Sequence, residues 1–144
     1  MVQNLVSIIM LSHNHEEFVE ESVRSILAQT YTNWELLFYD LNSKDDTVSR
    51  MVEFMALDKR IHVSKMVLSE SISSCQNAAL KEAKGQWVAF LNNGDLWEPE
   101  KLEWRYQVYK KVMKKNLLTA ICMTFRSLWY ASVKRIKYST VPKS

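Results

Sequence analysis

Residues 88–102 read VAFLNNGDLWEPEKL. An apolar run ends in a small, polar, turn-prone knot at Asn92, Asn93, Gly94 and Asp95, and Pro99 opens a helix just beyond it. That pattern describes a strand delivering a loop to the C-terminal edge of a sheet, where open α/β folds bind ligands. Two other groups of residues could do chemistry. His13 and His15 alternate, so an extended backbone would put both rings on one face, with His62 as a third candidate metal ligand. The spacing matches no zinc framework, which favours a structural or ligand-facing His13. Asp45 and Asp46 could form a carboxylate dyad, but their place ahead of an apolar helical pattern reads as a helix N-terminal charge pair.

The elements that must position these residues alternate between strand and helix. Residues 5–11 form a continuous apolar run, as expected of a strand buried on both faces. From Glu16, the apolar residues Val19, Val23, Ile26 and Leu27 recur at helical spacing, with Glu16, Glu17, Glu20 and Glu21 near the start, where the helix dipole favours acids. Residues 31–33 turn the chain, and 34–39 form a second strand ending at Asp40. Asn42 and Ser43 supply a turn and cap. A helix over 45–57 is expected to turn Val48, Met51, Val52 and Met55 inward. A third strand covers 61–67, and a helix covers 71–83 with Gly85 as its stop. A fourth strand covers 86–91. Pro99 stands in the first turn of a helix reaching about residue 115. Residues 117–125 read as a fifth strand, and 126–144 as a basic tail with aromatics. This order implies a three-layer αβα sandwich with a mainly parallel sheet. Residues 1–115 form the binding domain, and 116–144 supply its last strand and tail.

Composition bounds the function classes. A chain of 144 residues, 47% hydrophobic and 24% charged, suits one globular domain. Cys75 and Cys122 lack motif spacing and read as buried reduced thiols of a cytoplasmic protein. No stretch has the length of a membrane span or the form of a signal peptide. Charge is unevenly spread. Residues 1–100 hold 8 Lys and Arg against 15 Asp and Glu, whereas 101–144 hold 11 against one, Glu103. An acidic body with a basic, aromatic end suits peripheral contact with an anionic membrane surface, or a second chain. Nucleic acid is disfavoured because no reader motif accompanies the charge. No G-x-G-x-x-G follows the first strand, which argues against a dinucleotide-binding domain.

Four blocks, in order and at matching spacing, resemble family 2 glycosyltransferases of the GT-A fold. They are VSIIMLSHN (6–14), SILAQTYTNWELLFYDLNSKDDT (25–47), SCQNAALKEAKGQWVAFL (74–91) and the loop of 88–102. The family's loop usually reads Asp-x-Asp-Asp, an aromatic, then x-Pro-x-Lys-Leu. Here Asn92 and Gly94 stand in place of its two metal-motif aspartates, and Asp95 keeps the carboxylate.

The resemblance implies a nucleotide-diphosphate sugar, UDP-linked, as the donor for transfer to a glycan or lipid-linked acceptor in polysaccharide biosynthesis. It implies Mn²⁺ or Mg²⁺ as cofactor, held weakly by Asp95 and Asn92. Ser12, His13, Asn14, Asp40 and Asn77 fall at its nucleotide-binding positions. Leu41 replaces an aspartate that commonly reads the uracil edge, and a leucine offers no acceptor to a ring N–H. Gln76 replaces an arginine. Trp87, Trp97 and Trp104 read as packing residues, with a donor-sugar contact as the alternative for Trp97. The family's acceptor half, with its catalytic carboxylate, lies beyond the fifth strand, and no carboxylate side chain follows Glu103 here. A completing partner chain or homo-oligomer would supply it, and the isolated chain is expected to turn over poorly. The alternative is a glycosyltransferase-like binding or scaffold module without catalysis.

Overall fold

A computed structural model describes residues 2–66 and 71–114 of the chain. The elements are β1 (Val2–Ser12), α1 (Glu16–Leu27), β2 (Trp34–Asp40), α2 (Thr47–Leu57), β3 (Ile61–Lys65), α3 (Ile72–Glu82), β4 (Gly85–Leu91) and α4 (Lys101–Lys114). The four strands form one sheet in the order β3-β2-β1-β4, and every pairing is parallel. The expected fifth strand at 117–125, the tail at 126–144, Cys122 and the end of the third strand at Val67 lie outside the described residues.

Alternation along the strands divides the core in two. On one face, Ile8, Met10, Leu36, Phe38, Ala89 and Leu91 meet Val19, Val23 and Ile26 of α1, Met51 and Phe54 of α2, and Leu102 of α4. On the other, Ile9, Leu37 and Tyr39 meet Ala79 of α3. The sheet is therefore covered on both sides, as the near-continuous apolar strands require. All seven residues of β2, including Glu35 and Asp40, are buried. Glu35 is tolerated because its carboxylate accepts from the Ser7 hydroxyl at 2.5 Å and the Lys84 N–H at 3.0 Å.

Three expectations are corrected here. The inward side of α2 is Thr47, Met51 and Phe54, while Val52 and Met55 are exposed. Gly85 does not stop α3. It is the first residue of β4, and a Cβ there would lie 2.6 Å from the Leu5 carbonyl oxygen and 2.7 Å from the Ser7 nitrogen. Glycine is needed for strand contact, and α3 ends in extended backbone at Ala83. Trp104 is 66% exposed and packs in no core, although Trp87 lies edge-on to Tyr109 and Trp97 is buried. No helix among the described residues is long and apolar enough to cross a membrane.

Candidate functional site

Parallel pairing places the ends of three strands side by side. Ser12 pairs with Asp40, and Met10 pairs with Leu91, so the loops after β1, β2 and β4 leave the same sheet edge. The first two loops are bonded into one unit. The Leu41 N–H donates to the Ser12 carbonyl at 2.7 Å. His13 Nδ1 lies 2.7 Å from the Leu41 carbonyl, and Asn14 Nδ2 lies 3.1 Å from His13 Nε2. The Nδ1–H tautomer satisfies both contacts, donating to Leu41 and accepting from Asn14. Asn14 adopts φ 54° and Asn42 φ 65°, left-handed conformations that asparagine tolerates better than most residues. From that geometry the Asn14 N–H donates to the Ser43 hydroxyl, and Asn14 Oδ1 accepts from the Lys44 N–H at 2.8 Å.

Asp40 is 1% exposed, and both its carboxylate oxygens face the Ser43 N–H, at 3.1 and 3.2 Å. It acts first as the clamp that turns the β2–α2 loop. Ser12 is equally buried, and its hydroxyl has no partner among the described residues. His13 and Asn14 are exposed above these two.

The β4–α4 loop is anchored to the same edge and to α1. Asn93 Nδ2 donates to the Leu11 carbonyl at 2.8 Å, and the Gly94 N–H donates to the Ser22 hydroxyl at 3.0 Å. The Trp97 N–H donates to the Ser25 hydroxyl at 3.2 Å. Gln29, 5% exposed, donates to the Glu98 carbonyl at 2.7 Å and accepts from the Leu102 N–H at 3.0 Å. The Thr30 N–H donates to the Pro99 carbonyl. Lys101 stacks its ammonium 4.4 Å over the Trp97 ring. Burial, with the nearby Arg105 charge, lowers the Lys101 pKa to about 8 against the pull of Asp95. Burial pushes the Asp95 carboxyl up, opposed by Lys101.

The chain matches the model of glycosyl transferase family 2 over residues 7–126. It belongs to that family. A β-1,3-glucosyltransferase of Escherichia coli, WfgD, named for UDP-Glc and α-D-GlcNAc-diphosphoundecaprenol, is 41% identical over 113 residues. That match covers 78% of this chain and 43% of WfgD, so the chain spans less than half of this relative. The Staphylococcus aureus TarS 1–349 structure with UDP-GlcNAc superimposes with a TM-score of 0.68 at 25% identity, covering 75% of this chain and 32% of that one. A mannosyltransferase of Pyrobaculum calidifontis, solved with GDP-Man and Mn²⁺, has a TM-score of 0.58 at 23% identity, over 64% of this chain and 28% of that one, and agrees in fold. The four-stranded parallel sheet with its helices is thus a GT-A fold.

Within that family the sequence-derived residues divide. Ser12, His13, Asn14 and Asp40 come together in one bonded edge, with Asn92 and Asp95 on the loop beside it. Asn77 is exposed on α3 and takes no part in the bonds that join these loops. The three-histidine metal reading fails, because no group of three His, Cys, Asp or Glu among the described residues could hold a metal ion. Asp45 is a helix-end residue, its carboxylate accepting from the Glu16 and Thr47 N–H groups. Trp97 is 4% exposed, and such burial leaves no ring face for a sugar.

The loop's donor set does not fit Mn²⁺ or Mg²⁺ either. These ions take several hard, preferably anionic oxygens. Asn92 is neutral, and Gly94 has no side chain. Asp95 supplies one carboxylate, whose Oδ2 is enclosed by protein without a partner among the described residues. Sequence reasoning passed over Ser22, Ser25, Gln29 and Asn93, which hold this loop in place. Ser25 and Gln29 lay within the quoted SILAQT block; their side-chain bonds, not their types, mark them.

Proposed function

We propose that the edge formed by β1, β2 and β4 binds the nucleotide diphosphate of a UDP-linked sugar, as the donor half of an enzyme that transfers the sugar to a glycan or lipid-linked acceptor. The observation that carries this reading is the joining of the Ser12–Asn14 and Leu41–Lys44 segments by four hydrogen bonds directly beside the anchored β4–α4 loop. Three chain segments distant in sequence are thereby held as one preorganised, polar surface. The donor and acceptor named for WfgD, and the UDP-GlcNAc bound by TarS, support the same chemistry.

His13 offers an exposed ring for stacking on the base, and Asn14 offers amide groups to the ribose or phosphates. Asp40 and Ser12 lie too deep to be the first groups a ligand meets, and Asp40 contributes by fixing the loop. With Leu41 in place of an acceptor for the uracil ring N–H, base recognition rests on the backbone and His13. Residues 104–144, with ten Lys and Arg and no Asp or Glu, would hold the chain at the cytoplasmic face of an anionic membrane, beside a lipid-linked acceptor. Calorimetric titration with UDP, GDP and their sugar conjugates tests the reading. UDP and UDP-sugars are expected to bind in preference to GDP. Absence of binding by every nucleotide would refute the donor site.

A further inference from the structure

We propose that this chain binds the donor diphosphate without a divalent cation, with the Asn92 amide donating a hydrogen bond directly to a phosphate oxygen. The inference rests on the donor-site reading above and concerns how that same site handles charge.

The first support is position. β4 pairs with β1 up to Leu91 opposite Met10, so Asn92 follows at the sheet edge, next to the strand that delivers Ser12 and His13. The bond from Asn93 Nδ2 to the Leu11 carbonyl holds the loop there. The Asn92 side chain is exposed and has no bond to another described residue. The backbone carbonyl of Asn92 closes the turn by accepting from the Asp95 N–H at 3.2 Å.

The second support is chemistry. A carboxylate at this place accepts hydrogen bonds only and repels an anionic phosphate unless a cation lies between them. A carboxamide carries two N–H donors and can meet a phosphate oxygen directly. The charge balance agrees. Two aspartates with one dication sum to zero, and Asn92 with Gly94 and no dication also sum to zero. The loop with Asn92 and Gly94 therefore carries the same net charge without a cation as a metal-loaded loop would carry with one. Gly94, at φ 81°, adds only backbone, and its N–H is committed to Ser22. Asp95 alone remains acidic, with one oxygen turned into the protein.

The test is calorimetry with the full chain and UDP, in EDTA and in Mn²⁺, for the wild type, Asn92→Asp and Asn92→Ala. The wild type is expected to bind equally in both buffers. Asn92→Asp should lose about tenfold or more in EDTA, as expected for a charge placed against a phosphate, and recover in Mn²⁺. Asn92→Ala should lose less than Asn92→Asp and gain nothing from Mn²⁺. Thermal midpoints of the three proteins should agree, since the side chain is exposed. Wild-type binding that requires Mn²⁺ would overturn this inference and leave the donor site standing. Asn92→Asp binding as tightly as the wild type in EDTA would do the same. No binding of UDP in either buffer would remove the donor site and this inference together.

Discussion

Glu16 and Asp45 close the N-termini of each other's helices. The Glu16 N–H, first in α1, donates to Asp45 Oδ2 at 3.0 Å, and the Asp46 N–H, just ahead of α2, donates to Glu16 Oε2 at 2.8 Å. Each carboxylate also lies at the positive end of the other helix dipole. This reciprocal pair, with the His15 N–H on the Thr47 hydroxyl, locks together the two loops that carry His13 and Asp40.

Asp45→Ala should therefore lower the thermal midpoint by a few degrees at neutral pH and loosen the His13 loop. Burial works against the charged form of Asp45, but bonds from the Thr47 hydroxyl and the Glu16 and Thr47 N–H groups hold its carboxyl below the usual range. A depressed carboxyl stabilises the fold above its unfolded pKa, and that contribution disappears as pH falls through the folded pKa. The difference between wild type and variant should thus be full near pH 7 and shrink below about pH 4. A pH series of melting curves checks this. A difference independent of pH would mean that the carboxylate's charge is not what matters.

Gly85→Ala should cost about 3 kcal/mol or more, above the common range for overpacking, because the obstructing atoms are backbone. The added methyl would meet the Leu5 carbonyl oxygen at 2.6 Å, and the Ser7 nitrogen and hydroxyl at 2.7 Å. The Ser7 hydroxyl already accepts from the Gly85 N–H and donates to Glu35, so displacement would also disturb a buried carboxylate. Urea unfolding measures the loss, and a variant within 1 kcal/mol of wild type would show that β4 shifts freely.

The fate of Gly85 shows where the sequence was legible. Apolar runs and helical spacing were enough to place eight elements, because strands buried on both faces and amphipathic helices leave strong patterns. A glycine between helix and strand has two physical uses, a left-handed cap or a close approach, and only the neighbouring chain distinguishes them. The same holds for α2, which offers two apolar stripes. Val48, Val52 and Met55 form one, and Thr47, Met51 and Phe54 the other. The sheet selects the second, although its first member is polar. At the site, the family resemblance pointed to Ser12, His13, Asn14, Asp40 and Asn77, and the fold brings the first four to one edge. Nothing in their types reveals that Asp40 is spent on Ser43, or that serines of α1 and the glutamine just past its end suspend the β4–α4 loop.

Gln29→Ala tests that suspension. It removes the bonds to the Glu98 carbonyl and from the Leu102 N–H, leaving a buried donor unsatisfied, at a cost of about 1–3 kcal/mol. Hydrogen exchange should accelerate across residues 92–102 while β1 and β2 stay protected. If the Asn92 loop is the diphosphate contact, UDP affinity should fall together with that protection. Faster exchange spread evenly over the sheet would instead make Gln29 a global stability residue.

Lys101 shares with Asp45 a stability that rises with pH, but in an alkaline window and because the fold disfavours its charged form. Its ammonium is partly buried over Trp97, and desolvation first, then Arg105, bring its pKa down to about 8 from 10.5. Between those values the unfolded chain holds more protons than the folded one, so stability rises with pH across that window. Below pH 8 both states are charged, and the folded state bears the cost of the enclosed ammonium. Lys101→Met keeps the hydrocarbon length over the Trp97 ring and removes the charge. It should raise the urea midpoint at pH 7 and flatten the rise between pH 8 and pH 10. A variant whose midpoint climbs over that range as steeply as the wild type would place the titrating group elsewhere, and a variant less stable at pH 7 would show that the cation–π contact outweighs its desolvation.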